Sequence, residues 1–163
     1  THEQSESAIW HVERAVRISA SRAHAIKTRR SNFDQLAVSL LNEKPLTGKA
    51  RTNVLYGSKN ENSAREMYQN IGNVSVEQCG LVIHPSQPWL CASPDGLLMG
   101  DGKPLRVIEI KCPISCKNKP IIGSDREINV SYIQKTSTGF LELKKTHTYY
   151  TQCQILILYI VLD

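Results

Sequence analysis

Two carboxylates and a lysine, Asp95, Glu109 and Lys111, have the residue types and spacing of a site for a hard divalent cation. Such a site suits Mg²⁺, which binds few protein carboxylates and keeps positions for waters and phosphate oxygens. On a strand, Glu109 and Lys111 would share one face, about 7 Å apart. Taken alone, a Glu-x-Lys pair more often marks an exposed cross-strand ion pair. The metal site therefore depends on whether a hairpin brings Asp95 beside Glu109.

A β-hairpin is the element that must bring these side chains together. The Pro-Asp-Gly sequence at 94–96 predicts a tight turn, because proline fixes its own φ and glycine tolerates a left-handed corner. A second turn is predicted at 99–104, between apolar segments at 97–99 and 105–111 that suit antiparallel strands. Because apolar residues flank Glu109 on both sides, the sequence favours a site over an exposed ion pair.

The two halves of this hairpin resemble a family signature. Ser-Pro-Asp-Gly-Leu at 93–97 and Ile-Glu-Ile-Lys-Cys-Pro at 108–113 are similar to the motif of the lambda-exonuclease/YqaJ-like viral recombinase family of PD-(D/E)xK nucleases. The resemblance implies an α+β (α/β/α) fold with a restriction-endonuclease-like core, in which helices flank a central mixed β-sheet. It covers almost the whole chain, so we expect a single nuclease domain over residues 1–163. Relatives continue into further strands beyond the position of Asp163, which predicts a C-terminally truncated form.

Catalytic roles follow from the same resemblance, which implies hydrolysis of DNA phosphodiesters with Mg²⁺, and with Mn²⁺ able to substitute. Asp95, Glu109 and the Ile110 carbonyl would bind the metal. Lys111 would orient or deprotonate the attacking water and stabilise the charged phosphate. A lysine close to two anions favours its charged form, which argues for an electrostatic role over that of a strong general base. Glu61, on a helix outside the sheet, would help to anchor the metal-bound water network.

An N-terminal motif predicts a pocket for a DNA end. Trp10-x3-Arg14-x6-Ser21 is similar to a motif of lambda-type exonucleases in which an Arg and a Ser hold the 5′-terminal phosphate. The resemblance gives those roles to Arg14 and Ser21, with Arg17 as a weaker candidate and Ser93 as a further donor. A guanidinium beside a hydroxyl suits phosphate, although a basic helix face is most often only solvated. The implied polarity is 5′ to 3′ on duplex ends.

Two later segments carry further residues that match the family. Lys117 lies in a basic loop at 114–123, where relatives place a basic residue on the DNA backbone, a contact that gives affinity and salt dependence without base specificity. Tyr149-x2-Gln152-x-Gln154 matches a tyrosine and two glutamines of the family. The two glutamines would point about 160° apart on a helix, so only one can face the catalytic carboxylates. The resemblance favours Gln154 there and leaves Gln152 for DNA contact.

Hydrophobic spacing and turn residues predict the remaining elements. Helices are predicted over residues 4–27, 33–41, from 56 to about 69, and 146–163; strands over 74–83 and 89–92; and 84–88 as a loop. Residues 124–140 are polar, and a helix followed by a loop is one interpretation of them.

Composition and charge bound the class of protein. The chain has 163 residues, 40% of them hydrophobic and 21% charged, which suits one domain with a core. Its net charge of +5 favours a polyanionic partner without proving one. Five cysteines without a C-x2-C pair indicate neither a disulfide framework nor a zinc ribbon, and reduced thiols in a cytoplasmic or nuclear protein are expected. No signal peptide is visible and the apolar run at 155–162 is too short to span a bilayer, so no membrane partner is expected.

Other functions stay open at this point. A restriction-like or structure-specific endonuclease of the same superfamily would keep the metal site and lose the dependence on a 5′ phosphate. A catalytically silent DNA-binding module would keep the basic surface and need no metal. A third alternative is a protein that holds a metal or an iron–sulfur cluster through cysteines. Cys112-x3-Cys116 would be half of such a site. The resemblance further implies DNA recombination or repair, a homo-oligomeric ring and a strand-annealing partner protein.

Overall fold

Five α-helices and eight short strands make up the part of the chain that the computed structural model describes, residues 4–42 and 45–160. The helices are α1 (Ala8–Ala15), α2 (Ala23–Thr28), α3 (Phe33–Leu41), α4 (Gly48–Gly72) and α5 (Thr148–Ile160). The strands are β1 (Ile18–Ser19), β2 (Val76–Glu77), β3 (Val82–His84), β4 (Gln87–Ala92), β5 (Gly96–Gly100), β6 (Lys103–Ile108), β7 (Ile133–Lys135) and β8 (Leu141–Leu143). Single 3-10 turns span Gln4–Glu6 and Ile114–Cys116. The predicted α+β class is confirmed.

The strands form a mixed sheet, an antiparallel sheet and a separate hairpin. In the order β1-β4-β3, β1 runs parallel to β4 and β3 antiparallel to it. In the order β2-β5-β6, every pair is antiparallel. β7 and β8 form the hairpin. The mixed pairing was predicted from the family, whereas the division into two three-stranded sheets was not.

The predicted catalytic hairpin consists of β5 and β6. Asp101 and Gly102 connect the strands with φ values of 51° and 76°, the left-handed backbone that suits a two-residue hairpin turn. β6 ends at Ile108, three residues before the predicted end of the strand, so the segment that carries Glu109 follows the strand. Gly96 does not adopt the left-handed backbone expected for it. A glycine is needed there for a different reason, because a Cβ would lie 2.3 Å from Val76 Cγ1. Close packing of β5 against β2 therefore requires that glycine.

The core fixes α5 against the sheets. Leu156 of α5 packs with Ala20 and Ala92 in a buried cluster. Nearer the start of α5, Thr151 Oγ1 lies 2.8 Å from His24 Nδ1 of α2. The helix also contacts β3, β4 and β6. These contacts set which face of α5 is turned toward the catalytic hairpin.

The single helix predicted over 4–27 is wrong. α1 ends at Ala15 and α2 begins at Ala23, and between them Ile18 and Ser19 pair with Leu90 and Cys91 of β4. Pairing with a strand that is distant in sequence outweighs the apolar spacing, because helix propensity is a weak preference that tertiary contacts override.

Two other predictions also fail in part. The strand predicted over 74–83 is two short strands, β2 and β3, which belong to different sheets. The helix considered within 124–140 is not formed, since Asp125 Oδ1 accepts a hydrogen bond from the Glu127 backbone N–H and this local turn competes with a helix. β7 occupies part of that segment instead.

The other predicted helices are confirmed, with α4 longer at both ends than the sequence indicated. Residues 161–163, the predicted end of α5, lie outside the described residues. In the described part of the chain, no helix has both the length and the apolar character needed to cross a membrane. All five cysteines are free thiols.

Candidate active site

Asp95 is fixed by its backbone as well as by its side chain. Its N–H donates to the Ile108 carbonyl at 3.1 Å, which continues the β5–β6 ladder by one step. Its Oδ2 accepts a hydrogen bond from the Ile110 N–H at 2.6 Å. Its carbonyl accepts a hydrogen bond from Arg65 Nε at 3.0 Å. The Asp95 carboxylate therefore lies against the segment that carries Glu109, as the hairpin argument predicted.

The Glu109 carboxylate is buried and only half satisfied. Its side chain is 9% exposed. Oε1 accepts hydrogen bonds from Lys111 Nζ and, at 2.6 Å, from Gln152 Nε2. Oε2 is buried and has no hydrogen-bond partner among the described residues. Buried carboxylate oxygens normally have a partner, and this one is therefore available as a ligand for a cation.

The electrostatics of the site favour a bound cation. Burial, with Asp95 nearby, raises the pKa of Glu109 to about 7. Burial also raises the pKa of Asp95, and burial together with Asp95 raises the pKa of Glu61. Burial alone would lower the pKa of Lys111, but the neighbouring groups, chiefly the Glu109 carboxylate together with Asp95, outweigh burial and raise that pKa. A divalent cation among these groups would stabilise their charged forms.

The donor set fits Mg²⁺. Within residues 4–42 and 45–160, no group of three or more His, Cys, Asp or Glu side chains is placed to hold a metal ion. A metal at Asp95 and Glu109 would thus complete its shell with carbonyl, water or phosphate oxygens. Ile110 lines the same space and can supply the carbonyl. Few carboxylates and several exchangeable oxygens are the ligands that Mg²⁺ prefers.

Arg65 connects α4 to Asp95. Its side chain is 8% exposed and donates to Glu61 Oε1 at 2.8 Å, to Asn62 Oδ1 at 2.9 Å and to the Asp95 carbonyl at 3.0 Å. Arg65 was not among the predicted site residues, although an arginine one helical turn after Glu61 was the available signal. Arg65 holds the predicted helix-borne acid beside the catalytic hairpin.

Four residues of the predicted phosphate motif form one chain of contacts. The Arg14 guanidinium lies 4.9 Å from the centre of the Trp10 ring, and its Nη2 donates to Ser21 Oγ at 2.8 Å. Trp10 Nε1 donates to Ser93 Oγ at 3.1 Å. Ser21 Oγ also lies 3.1 Å from Ser19 Oγ, on β1. We call Trp10, Arg14, Ser21 and Ser93 the phosphate corner.

The phosphate corner and the two segments that flank the β5–β6 hairpin line a single cleft of about 520 Å³. Asp95, Glu109 and Lys111 form one part of its wall, and the phosphate corner forms another. Glu61 also lines the cleft, so every predicted catalytic side chain except Gln154 reaches the same space.

The two glutamines are placed in the reverse of the expected order. Gln152 contacts Glu109 and lines the cleft, whereas Gln154 is exposed and does not line it. The expectation that only one of the two can face the carboxylates is confirmed. The choice of Gln154 was wrong, because burial of Thr151 and Leu156 sets the rotation of α5.

Two basic residues predicted to contact DNA lie outside the cleft. Arg17 is paired with Glu13, donates to the Pro88 carbonyl at 2.8 Å and lines a separate apolar groove. Lys117 is exposed and directly follows the 3-10 turn Ile114–Cys116. Arg17 is therefore not part of the phosphate corner, and Lys117 is available only to DNA outside the cleft.

Comparison with known proteins adds a family and a fold. The model of the YqaJ-like viral recombinase domain matches residues 9–157. The crystal structure of an alkaline exonuclease, LHK-Exo, from Laribacter hongkongensis is 28% identical, with a TM-score of 0.53 over 68% of this chain and 56% of that chain. The structure of LHK-Exo in complex with dAMP is 24% identical, with a TM-score of 0.64 over 94% of this chain and 68% of that one.

The match to the first of these structures thus spans little more than half of the exonuclease chain. The likeness in fold agrees with the restriction-endonuclease-like core expected from the sequence. No curated protein matches the chain.

Proposed function

Because the chain belongs to the YqaJ-like viral recombinase domain family, as its hairpin motif predicts, we propose that it is a Mg²⁺-dependent deoxyribonuclease. It would degrade duplex DNA from 5′-phosphorylated ends in the 5′ to 3′ direction. The observation that carries this proposal is the single cleft lined by Asp95, Glu109 and Lys111 together with Arg14 and Ser21. Similarity to an alkaline exonuclease supports a nucleic-acid substrate.

Asp95 and Glu109 would hold the metal, with the Ile110 carbonyl as a further ligand. The buried Glu109 Oε2, which has no hydrogen-bond partner among the described residues, supports this assignment. When bound, Mg²⁺ or Mn²⁺ polarises a phosphate oxygen and lowers the pKa of a bound water, so that a nucleophile is available at neutral pH.

The chain's own groups would position the reacting atoms. Lys111, charged because it is paired with Glu109, would donate to an oxygen of the scissile phosphate and stabilise the charge that develops there. Gln152 would keep Glu109 Oε1 in place through its 2.6 Å hydrogen bond. Glu61, held by Arg65, would accept a hydrogen bond from a water on the α4 side of the cleft.

End recognition would reside in the phosphate corner. The Arg14 guanidinium supplies a planar charged donor, and the hydroxyls of Ser21 and Ser93 supply neutral donors. Charge-assisted hydrogen bonds of this kind are about twice as strong as neutral ones. A 5′ phosphate would be preferred over a 5′ hydroxyl because only the phosphate presents a dianion to Arg14.

Digestion of three DNA substrates tests the proposal. A 5′-phosphorylated linear duplex, the same duplex with a 5′ hydroxyl and a covalently closed circle are each incubated with Mg²⁺ and with EDTA. We expect degradation only with Mg²⁺, fastest on the phosphorylated ends, and an intact circle. Arg14→Ala should remove the preference for the phosphate, while Arg17→Ala, which changes an arginine outside the cleft, should keep it.

Each alternative function predicts a different result in the same assay. Digestion of the closed circle would identify an endonuclease. DNA binding without degradation, unchanged in Glu109→Ala, would identify a silent DNA-binding module. Zinc or colour in the purified protein would point to a metal held by cysteines.

We also propose a setting for the activity. Family membership supports a role in DNA recombination or repair, with a strand-annealing protein as a partner and a ring-shaped homo-oligomer. Five free thiols agree with a reducing cytoplasm or nucleus. Lys117 would add a contact to the DNA backbone outside the cleft.

A further inference from the structure

Tyr149 lies against Lys111, which follows the β5–β6 hairpin. The Lys111 Nζ atom is 5.0 Å from the centre of the Tyr149 ring. Both residues line the cleft, and the Lys111 side chain is 29% exposed. An ammonium over an aromatic face is attracted by the negative charge of that face, most strongly where water is partly excluded.

The Tyr149 ring is held in place by contacts that do not involve the lysine. It meets the Tyr132 ring edge-on at 5.0 Å and the His147 ring at 4.7 Å between centres. Tyr132 is 9% exposed and so is itself fixed. The Tyr149 backbone N–H donates to His147 Nδ1 at 3.2 Å at the start of α5. The ring is therefore a preformed surface for the ammonium.

The Tyr149 ring gives the Lys111 ammonium a second contact besides its ion pair with Glu109. A lysine side chain is a flexible four-carbon stem that ends in a freely rotating ammonium. Its carboxylate partner, Glu109 Oε1, is shared with Gln152. The Tyr149 ring supplies a second contact, and two contacts restrict the ammonium far more than one.

We infer that Tyr149 is the positioning residue of the nuclease site, acting through Lys111. The ring holds the ammonium beside Glu109 at the place where the scissile phosphate would arrive. The inference rests on the proposed nuclease function for its catalytic consequence. The contact between Tyr149 and Lys111 can also be tested without any activity.

Kinetics on 5′-phosphorylated duplex with Mg²⁺ provide the first test. Tyr149→Leu is expected to lower kcat about tenfold with KM for DNA unchanged, since the lost contact acts on the reacting centre. Tyr149→Phe keeps the aromatic face and should stay within about threefold of the wild type. Tyr150→Leu is the matched control, because the neighbouring Tyr150 ring lies 5.9 Å from Lys27 Nζ and does not line the cleft.

A double substitution tests whether Tyr149 acts through the lysine. In a Lys111→Ala background, Tyr149→Leu should change the residual kcat less than about twofold, because the partner of the ring is already absent. An undiminished tenfold loss in that background, or equal kcat values for Tyr149→Leu and Tyr150→Leu, would overturn the inference.

A fluorination series covers the case in which the leucine variant does not fold. Phenylalanine with one and then three ring fluorines, introduced at position 149, keeps the shape and progressively weakens the negative face. Activity that falls with each fluorine supports the inference, and a flat series refutes it.

A metal-free measurement separates this inference from the proposed function. Denaturant unfolding in EDTA is measured for the wild type, for Tyr149→Phe and for its trifluorinated analogue, and again for each of these with Lys111→Ala. The coupling between ring and ammonium is the difference between the effect of a ring change with the lysine and its effect without the lysine. We expect trifluorination to raise the unfolding equilibrium constant about threefold or more when Lys111 is present and to leave it nearly unchanged in Lys111→Ala. If the wild type does not degrade DNA but the coupling is present, the proposed function fails and the contact stands. Active wild type with no coupling refutes the inference alone.

Discussion

Replacement of Gln152 by leucine removes the only neutral donor to the Glu109 carboxylate that the described residues supply. The Gln152 Nε2–Glu109 Oε1 distance is 2.6 Å and the Glu109 side chain is 9% exposed, so water has little access to replace the lost donor. Gln154→Leu is the matched control, because that glutamine is exposed two residues further along the same helix.

The size of the effect follows from the cost of an unsatisfied charged acceptor. A hydrogen bond to a charged group contributes about 1.5–3 kcal/mol, which corresponds to a rise of about one to two units in the pKa of the carboxyl. The pKa of Glu109 already stands at about 7. At pH 7 the ionised fraction in Gln152→Leu should therefore fall by about fivefold to fiftyfold, and metal affinity with it.

Calorimetric titration of metal-free protein with Mn²⁺ at pH 7 and pH 9 measures this effect. Protons and metal compete for the same carboxylate, so the deficit of Gln152→Leu should be large at pH 7 and smaller at pH 9. Equal Mn²⁺ affinity of the Gln152 and Gln154 variants at pH 7 would refute the reasoning, as would a deficit that does not shrink as the pH rises.

Three further predictions concern the stability of the metal-free protein. Arg65→Met should lower the free energy of unfolding by about 2–4 kcal/mol in urea titrations, because it removes the donor to Glu61 and to the Asp95 carbonyl. A decrease below about 1 kcal/mol would contradict this prediction. Gly96→Ala should lower the free energy of unfolding by about 1–3 kcal/mol, since its Cβ would lie 2.3 Å from a Val76 methyl carbon. Gly57→Ala is the matched control, and because its Cβ meets open space it should stabilise α4 by about 0.5–1 kcal/mol. The melting temperature in EDTA should fall as the pH rises from about 4.5 to about 7, because the raised pKa of Glu109 makes the folded state bind more protons than the unfolded state in that window. Glu109→Gln should flatten this pH dependence, and an unchanged slope would show that other groups cause it.

The catalytic hairpin could be predicted because its determinants are local. A two-residue connection fixes the register of β5 and β6, and Asp95 directly precedes β5, where its N–H continues the ladder to Ile108. The tight turn predicted at 94–96 is not formed, since Gly96 is the first residue of β5. Side-chain alternation placed Glu109 and Lys111 on one side even though β6 ends before them. In the structure the Lys111 ammonium donates to Glu109 Oε1, as expected for two side chains on one side.

The rest of the site depends on contacts that no local pattern encodes. The break between α1 and α2 results from pairing of β1 with β4, more than seventy residues away, and that break is what turns Ser21 toward Arg14. The choice between Gln152 and Gln154 depends on the rotation of α5, which the buried Leu156 sets. The motif supplied the residue types, and tertiary packing decided which of them reach the cleft.

The segment that follows β4 contributes one residue to the phosphate corner and one to the pair of carboxylates. β4 ends at Ala92, Ser93 follows it in the phosphate corner, and Asp95 stands only two residues further on. The Cα atoms of Ser93 and Asp95 are thus at most about 7 Å apart in any conformation. Under the proposed function, recognition of a DNA terminus and cleavage beside it would use residues two positions apart on one backbone segment. The covalent geometry of that segment would therefore limit the distance between the two sites.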